Sequence, residues 1–297
     1  MAKNFLDPMY RMFEWGARTY IMGIVNVTPD SFSGDGVTDT DAAVAQGMRF
    51  VEEGADILDI GGESTRPGSA RIDAAQEIAR VLPVIEQLAK RVTLPLSVDT
   101  SRAEVAQRAL DAGATWINDV WAFTRDANLG RVTAAHNAFA VLMHNRAAPA
   151  LSGALGGHYG NVEYDNADIV QAVASELVQR VADAERAGVA RAKIIIDPGI
   201  GFGKGLEQNL ELLRRLHEFK THPALRDVPL LIGTSRKSVV GLTLNLPVSE
   251  RLEGTLATLA LSIAQGADIV RVHDVKEAAR ACRMTDAIVR RRMTQAQ

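Results

Sequence analysis

Hydrophobic and polar positions along this chain follow two alternating rhythms. Stretches with apolar residues every three to four positions, the spacing of an amphipathic helix, give way to apolar runs of four to eight residues, the length of buried strands. Four joints repeat one grammar: EEGADILDI (52–60), DAGATWIND (111–119), RAGVARAKIIID (186–197) and AQGADIVRVHD (264–274). In each, a helical run meets a glycine suited to a left-handed C-cap, then an apolar strand that ends in a polar residue. Such repetition is the αβ half of a βαβ unit and calls for a parallel sheet.

Eight strands are predicted, at 20–27, 56–61, 94–99, 115–120, 138–144, 193–198, 229–234 and 268–273. Helical patterns fill the gaps near 41–53, 73–90, 101–112, 127–136, 166–188, 205–219, 249–265 and 275–292. Ser101 and Glu104 have the spacing of a capping box at the third helix. Eight strand–helix units at this length predict a (β/α)8 barrel. Residues 1–19 are read as an N-terminal extension packed outside the barrel, and 20–297 as one domain. The rival is a doubly wound nucleotide-binding sheet, resting on DPGIGFGKG (197–205). A dinucleotide fingerprint from Gly199 needs glycine where Lys204 stands, and a P-loop ending at Lys204 needs glycine where Pro198 stands, so both motifs fail.

Composition narrows the class. The chain has 297 residues, 47% hydrophobic and 23% charged, enough for a full core. A net charge of -3 and the lack of a basic tract give no reason to expect nucleic acid or an anionic membrane. No apolar window approaches a membrane span, and the first twenty residues lack a signal-peptide core. Cys282 is the one cysteine, which excludes intrachain disulfides and thiolate clusters and suits a cytoplasmic address. It is expected to be buried and inert.

Candidate chemistry sits at the strand ends, where a barrel of this kind keeps its site. These ends carry Asn26, Asp59, Asp99, Asn118, Asp119, His144, Asp197, Arg271 and His273. A single aspartate there is often just a helix cap. Acceptors, amides and cations converging on one mouth ask for more. Carboxylates with an amide suit the donor-rich edge of a planar heterocycle. Arg271 and His273 alternate along IVRVHD, so they share a face that Asp274 does not, and suit a phosphate or carboxylate. On this reading the pair waits for an anion, and replacing Arg271 by alanine should impair turnover severely and leave the fold intact. The loops 26–36 and 61–70 are expected to be mobile and to close over the mouth.

The motifs MGIVNVTPDSFS, DIGGESTRPGS, SVDTS, IND, DPGIGFGK, GTSRKS and RVHD stand in the order found in the dihydropteroate synthase family. The chain resembles a full-length member, from residue 21 to about 277. The resemblance implies a usually homodimeric (β/α)8 barrel that joins 6-hydroxymethyl-7,8-dihydropterin diphosphate to 4-aminobenzoate with Mg2+ present. It further implies that Asp99, Asn118, Asp197 and Lys237 hold the pterin. Asn26, Arg271 and His273 would take the diphosphate, with Asn26 also near Mg2+. Thr65, Arg66, Pro67, Phe202 and Ser238 would surround the aminobenzoate, where sulfonamides compete. The displacement would be SN1-like, with Asp99, Asp197, Lys237, Arg271 and His273 acting on the reacting groups.

One region departs from the family. Residues 146–164 replace a shorter Met/Gln/Gly loop, and His144 with His158 make only a weak metal case there, so a flexible surface loop is expected. Trp116 and Trp121 are read as packing residues. Two other functions compete: methyl transfer from methyltetrahydrofolate to a corrinoid protein, and a non-catalytic pterin binder. The GTSRKS and RVHD segments count against the first, and the full set of implied catalytic residues counts against the second.

Overall fold

The computed structural model describes residues 13–28, 39–63, 72–146 and 168–290. Eight parallel strands, β1 (Tyr20–Asn26), β2 (Ile57–Gly61), β3 (Leu96–Asp99), β4 (Trp116–Asp119), β5 (Phe139–Met143), β6 (Ile194–Asp197), β7 (Leu231–Ile232) and β8 (Ile269–Val272), pair in the order β6-β5-β4-β3-β2-β1-β8-β7. A parallel bridge between Ile196 and Leu230, with the Ile196 N–H donating 3.0 Å to the Pro229 carbonyl, joins the two ends into a ring. The predicted (β/α)8 barrel is the fold.

Ten α-helices surround it among the described residues: α1 (Thr40–Glu53), α2 (Ala74–Ala89), α3 (Ala103–Asp111), α4 (Leu129–Ala135), α5 (Ile169–Arg186), α6 (Leu206–Arg214), α7 (His217–Thr221), α8 (Ser238–Leu244), α9 (Leu252–Ala264) and α10 (Val275–Val289). None of the described helices is long and apolar enough to cross a membrane. The helix expected over 205–219 is two helices, and the short α8 had no expectation. The four glycines of the repeated grammar take the left-handed conformation, with φ of 103° at Gly54, 113° at Gly113, 100° at Gly188 and 101° at Gly266. Only glycine enters that region without a steric penalty.

The predicted capping box on α3 does not form. Ser101 Oγ donates 2.5 Å to Asp119 Oδ1, and the Ala103 N–H is taken by Asp126 Oδ2 at 2.8 Å. A carboxylate from the next βα segment reaches the helix end before the local box can close.

Strand parity sorts the side chains into two environments. Val25, Leu58, Ile60, Val98, Ile117 and Val270 face the helices. Tyr20, Met22, Ile57, Trp116, Phe139, Val141, Ile195, Leu231 and Ile269 fill the barrel floor. Trp116 stacks on Phe139 at 4.6 Å, the packing role expected of it. The described part of the N-terminal extension is not a bystander on the outside: Phe13 is buried in this floor cluster, edge-on to Trp116 at 5.3 Å and Phe139 at 6.0 Å. With the floor filled by aromatic and aliphatic side chains, polar residues are left to the opposite, C-terminal rim.

Candidate active site

By the same alternation, Asn26, Asp59, Asp99, Asn118, Asp197, Arg271 and His273 all have the inward parity of the floor residues, one or two layers higher. They form the rim that the strand ends predicted. Asp119 has outward parity and leaves the set. Its carboxylate accepts from the Trp121 and Phe123 N–H groups and from Ser101, and so shapes the β4 turn.

Arg271 lies at the centre, and it is already paired with neighbouring acids rather than standing unpartnered for an anion. Its Nε donates to Asp59 Oδ2 at 2.6 Å and its Nη2 to Asp99 Oδ2 at 2.7 Å. Asp59 is wholly inaccessible, and a second donor, Asn118 Nδ2, reaches the same oxygen at 2.8 Å. A carboxylate that deep is tolerable only with a charged partner, so Arg271 is structural as well as accessible to the mouth. Replacing it by alanine therefore cannot leave the fold untouched. The parity reading of Asp274 holds: it pairs with Arg236, with Nε at 3.0 Å from Oδ2. The His273 Nδ1 is 3.0 Å from Ser235 Oγ, which also accepts from the His273 N–H at 3.1 Å.

Two strands round the ring from this cationic strand lies the β6–α6 turn. Asp197 Oδ1 accepts from the Gly199 N–H at 2.7 Å. Lys237 precedes α8, donates to the Ile200 carbonyl at 2.6 Å, and stands 4.6 Å over the Phe202 ring. Ser238 follows as the first residue of α8. Asn26 and Asp99 flank the Gly61 backbone, where an added Cβ would sit 3.7 Å from Asn26 Oδ1 and 3.6 Å from Asp99 Cβ. Thr65, Arg66 and Pro67 lie outside the described residues, as do residues 29–38 of the first loop and the 147–164 stretch with His158.

Burial governs the titration of this rim. It raises the Asp99 carboxyl to about 7, with Arg271 pulling down and Asp59 pushing up. Asp197 is raised by burial too, against Lys237. Burial lowers the Lys237 ammonium to about 8, which Asp197 opposes and Arg271 reinforces. Burial thus shifts all three groups toward their uncharged forms, as at sites that handle protons or bind polar ligands.

Two residues escaped the sequence reading of the site. Asp59 stood among the polar strand ends with nothing to single it out, although its inward parity with Gly61 was a usable signal. Lys204 closes DPGIGFGK and served only to exclude nucleotide motifs. It is buried, held by the Gly199 carbonyl at 3.0 Å, the Phe202 carbonyl at 2.9 Å and the His144 carbonyl at 3.4 Å. Burial lowers its ammonium to about 7. His144, weighed for metal binding, is buried with Nε2 at 3.2 Å from Glu176, and burial lowers its pKa to about 4. No cluster of three or more His, Cys, Asp or Glu side chains that could hold a metal exists among the described residues. Cys282 is buried, its thiol raised to about 12 by burial, in keeping with an inert packing role.

A donor-and-acceptor rim over a sealed barrel floor suits a polar heterocycle with an anionic arm. Comparison with known proteins gives the same class: residues 22–273 match the family model described as pterin binding enzyme. A dihydropteroate synthase from Clostridium beijerinckii is 47% identical over 94% of this chain and 97% of its own. The solved dihydropteroate synthase of Clostridium difficile, in the presence of pteroic acid, superposes with a TM-score of 0.84 at 46% identity, covering 94% of this chain and all of the other. That of Xanthomonas albilineans, with 4-aminobenzoic acid, gives 0.79 at 41%, covering 92% and 94%. The chain belongs to the dihydropteroate synthase family of pterin-binding enzymes, transferases of folate biosynthesis.

Proposed function

We infer that the chain joins 6-hydroxymethyl-7,8-dihydropterin diphosphate to 4-aminobenzoate, releasing diphosphate and 7,8-dihydropteroate. The observation that carries this reading is the Arg271 guanidinium placed between acidic Asp59 and Asp99 on a rim that also holds Asn118, Asp197 and Lys237. Asp99 and Asp197 accept from the amino and ring N–H groups of the pterin, Asn118 adds an amide, and Lys237 donates to ring acceptors. Arg271, His273 and Asn26 receive the diphosphate. Phe202 and Ser238, with Thr65, Arg66 and Pro67 from the second loop, contact the aminobenzoate.

Ionisation of the exocyclic CH2–O bond places positive charge on the electron-rich dihydropterin and negative charge on the departing diphosphate. Asp99 and Asp197 stabilise the first, and Arg271 the second, more strongly than in the ground state. The aniline nitrogen then attacks the methylene carbon and loses its proton afterwards, so no nucleophilic side chain is needed. The entering diphosphate competes with Asp99 for the guanidinium, and this freed carboxylate then faces the pterin. Pterin diphosphate binds first, because the loops form the aminobenzoate pocket only around bound diphosphate; aminobenzoate binding at comparable affinity without pterin or diphosphate would refute this order.

The protein's oxygen donors fit a magnesium ion carried in by substrate rather than one caged by protein. Magnesium favours substrate phosphates plus one or two protein oxygens, and the Asn26 amide is a hard donor at the rim. When bound there through Asn26, the ion would supply additional charge neutralisation for the diphosphate. The lone buried thiol suits a cytoplasmic setting. A second copy of the chain is a suitable partner for the exposed apolar side chains Leu261, Met284 and Ile288 of α9 and α10; sedimentation of the purified protein as a monomer at micromolar concentration would refute the homodimer.

The decisive assay is diphosphate release on mixing both substrates with Mg2+. Release that requires both substrates supports the reading. Pterin binding with no release would leave a non-catalytic binder, and methyl transfer from methyltetrahydrofolate would indicate the corrinoid-linked class.

A further inference from the structure

Three glycines, Gly199, Gly201 and Gly203, give the turn after β6 a backbone of left-handed residues, with φ of 70°, 82° and 61°. The turn needs that freedom because it wraps closely around two lysines. An added Cβ on Gly199 would lie 2.0 Å from the His144 carbonyl oxygen and 3.2 Å from Lys204 Nζ, and one on Gly201 would lie 3.1 Å from the Lys237 Cδ. The carbonyls of His144, Gly199 and Phe202 point at one spot between the ends of β5 and β6. Three converging carbonyl dipoles repel one another, and buried acceptors left without donors cost stability. An ammonium, with three donors and no acceptor, is the side-chain group that satisfies all three.

The same turn holds the pocket's other lysine. The Ile200 carbonyl accepts from Lys237 Nζ at 2.6 Å, and the Phe202 ring lies beneath that ammonium at 4.6 Å. Ile200 and Phe202 sit between Gly199 and Lys204 in the chain, so whatever fixes the turn fixes the seat of Lys237. Asn209 on α6 is a second fastener: its Oδ1 accepts from the Gly201 N–H at 2.7 Å and its Nδ2 donates to the Lys204 carbonyl at 3.0 Å.

We propose that Lys204 is a positioning residue, its buried ammonium gathering the His144, Gly199 and Phe202 carbonyls so that the turn presents Lys237 to the pterin. This rests on the reading of Lys237 as a pterin ligand. Lys204 itself is buried, with its Nζ spent on backbone carbonyls of the turn. The role predicts energetic coupling between the two lysines, because Lys204 matters to binding only through what it does for Lys237.

A double-mutant cycle tests it, with the dissociation constant of the pterin diphosphate alone read by titration calorimetry. Lys204→Met, close in volume and without charge, should weaken binding about tenfold in the wild-type background and by less than about twofold in a Lys237→Met background. Equal losses in both backgrounds, or no loss in either, overturn the proposal, and a merely structural lysine would lower the melting temperature without that coupling. Where Lys204→Met does not accumulate as folded protein, Asn209→Ala carries the same cycle, with a smaller loss that must again vanish beside Lys237→Met. Failure of the wild-type protein to bind pterin diphosphate would strike the functional reading itself and is distinguishable from an additive cycle.

Discussion

Substituting Arg271 by alanine removes the counter-charge of two carboxylates at once, and the consequences can be worked from the geometry. Asp59 is wholly buried and would keep only the Asn118 amide as donor to the oxygen that Arg271 now contacts. Breaking a buried ion pair by deleting one partner costs about 3–5 kcal/mol, because the other charge is stranded. The cost should depend on pH. Burial already raises Asp99 to about 7 against the pull of Arg271, so loss of the guanidinium raises it further. A carboxyl whose folded pKa lies above its unfolded value of about 3.9 binds protons in the native state that the unfolded chain has released, so stability falls as pH rises through that interval. In wild type the fall ends near 7, and in the variant it continues to higher pH. The stability gap between the two proteins therefore widens from pH 5.5 to pH 8.5, which urea unfolding at both values measures. A companion variant, Asp59→Asn with Arg271→Ala, removes the stranded charge and should regain most of the lost stability while diphosphate release stays at least about a hundredfold down, the scale of removing a major transition-state electrostatic contact. A gap below about 1 kcal/mol, the worth of an exposed pair, would refute the buried-pair reasoning. Recovery of turnover in the companion would remove Arg271 from the diphosphate role.

With Asp99 acting as carboxylate and Lys237 as ammonium, kcat/KM for the pterin substrate should rise through pH 7 and fall above pH 8, and Lys237→Met should abolish the alkaline limb alone; a wild-type profile with no alkaline limb would count against Lys237. Gly199→Ala combines left-handed backbone strain with a methyl placed 2.0 Å from the His144 carbonyl oxygen, and thermal unfolding should register a loss of about 2–5 kcal/mol. An unchanged melting temperature there would mean that the turn is not as tightly wrapped as described. Phe13→Ala should cost about 3 kcal/mol by opening the aromatic floor, and an unaltered unfolding curve would show that this segment does not seal the barrel.

How much of this molecule the sequence disclosed depends on the range of the interaction concerned. The helix–Gly–strand grammar rests on helix and strand periods and on single glycine conformations, so strands, helices and the left-handed Gly54, Gly113, Gly188 and Gly266 were legible. Parity along a strand is equally local, and it correctly set Arg271 and His273 on one face and Asp274 on the other. The expected Ser101 cap failed because Asp126, a residue from the following segment, won the Ala103 N–H.

Side chains alone announced a barrel with a polar rim, the family motifs in their order, and the cations and acids available to a site. Which of them meet was decided by closure of the ring. Arg271 finds Asp99 across 172 residues and Asp59 across 212, a pairing that exists because β8 lies beside β1, and β1 beside β2. The same closure brings the ends of β5 and β6 close enough for one buried ammonium to bind carbonyls from both, and lets Phe13 reach Trp116 at the floor. Periodicity is a property of neighbours along the chain, whereas a buried charge is stable only against a partner that the finished fold delivers.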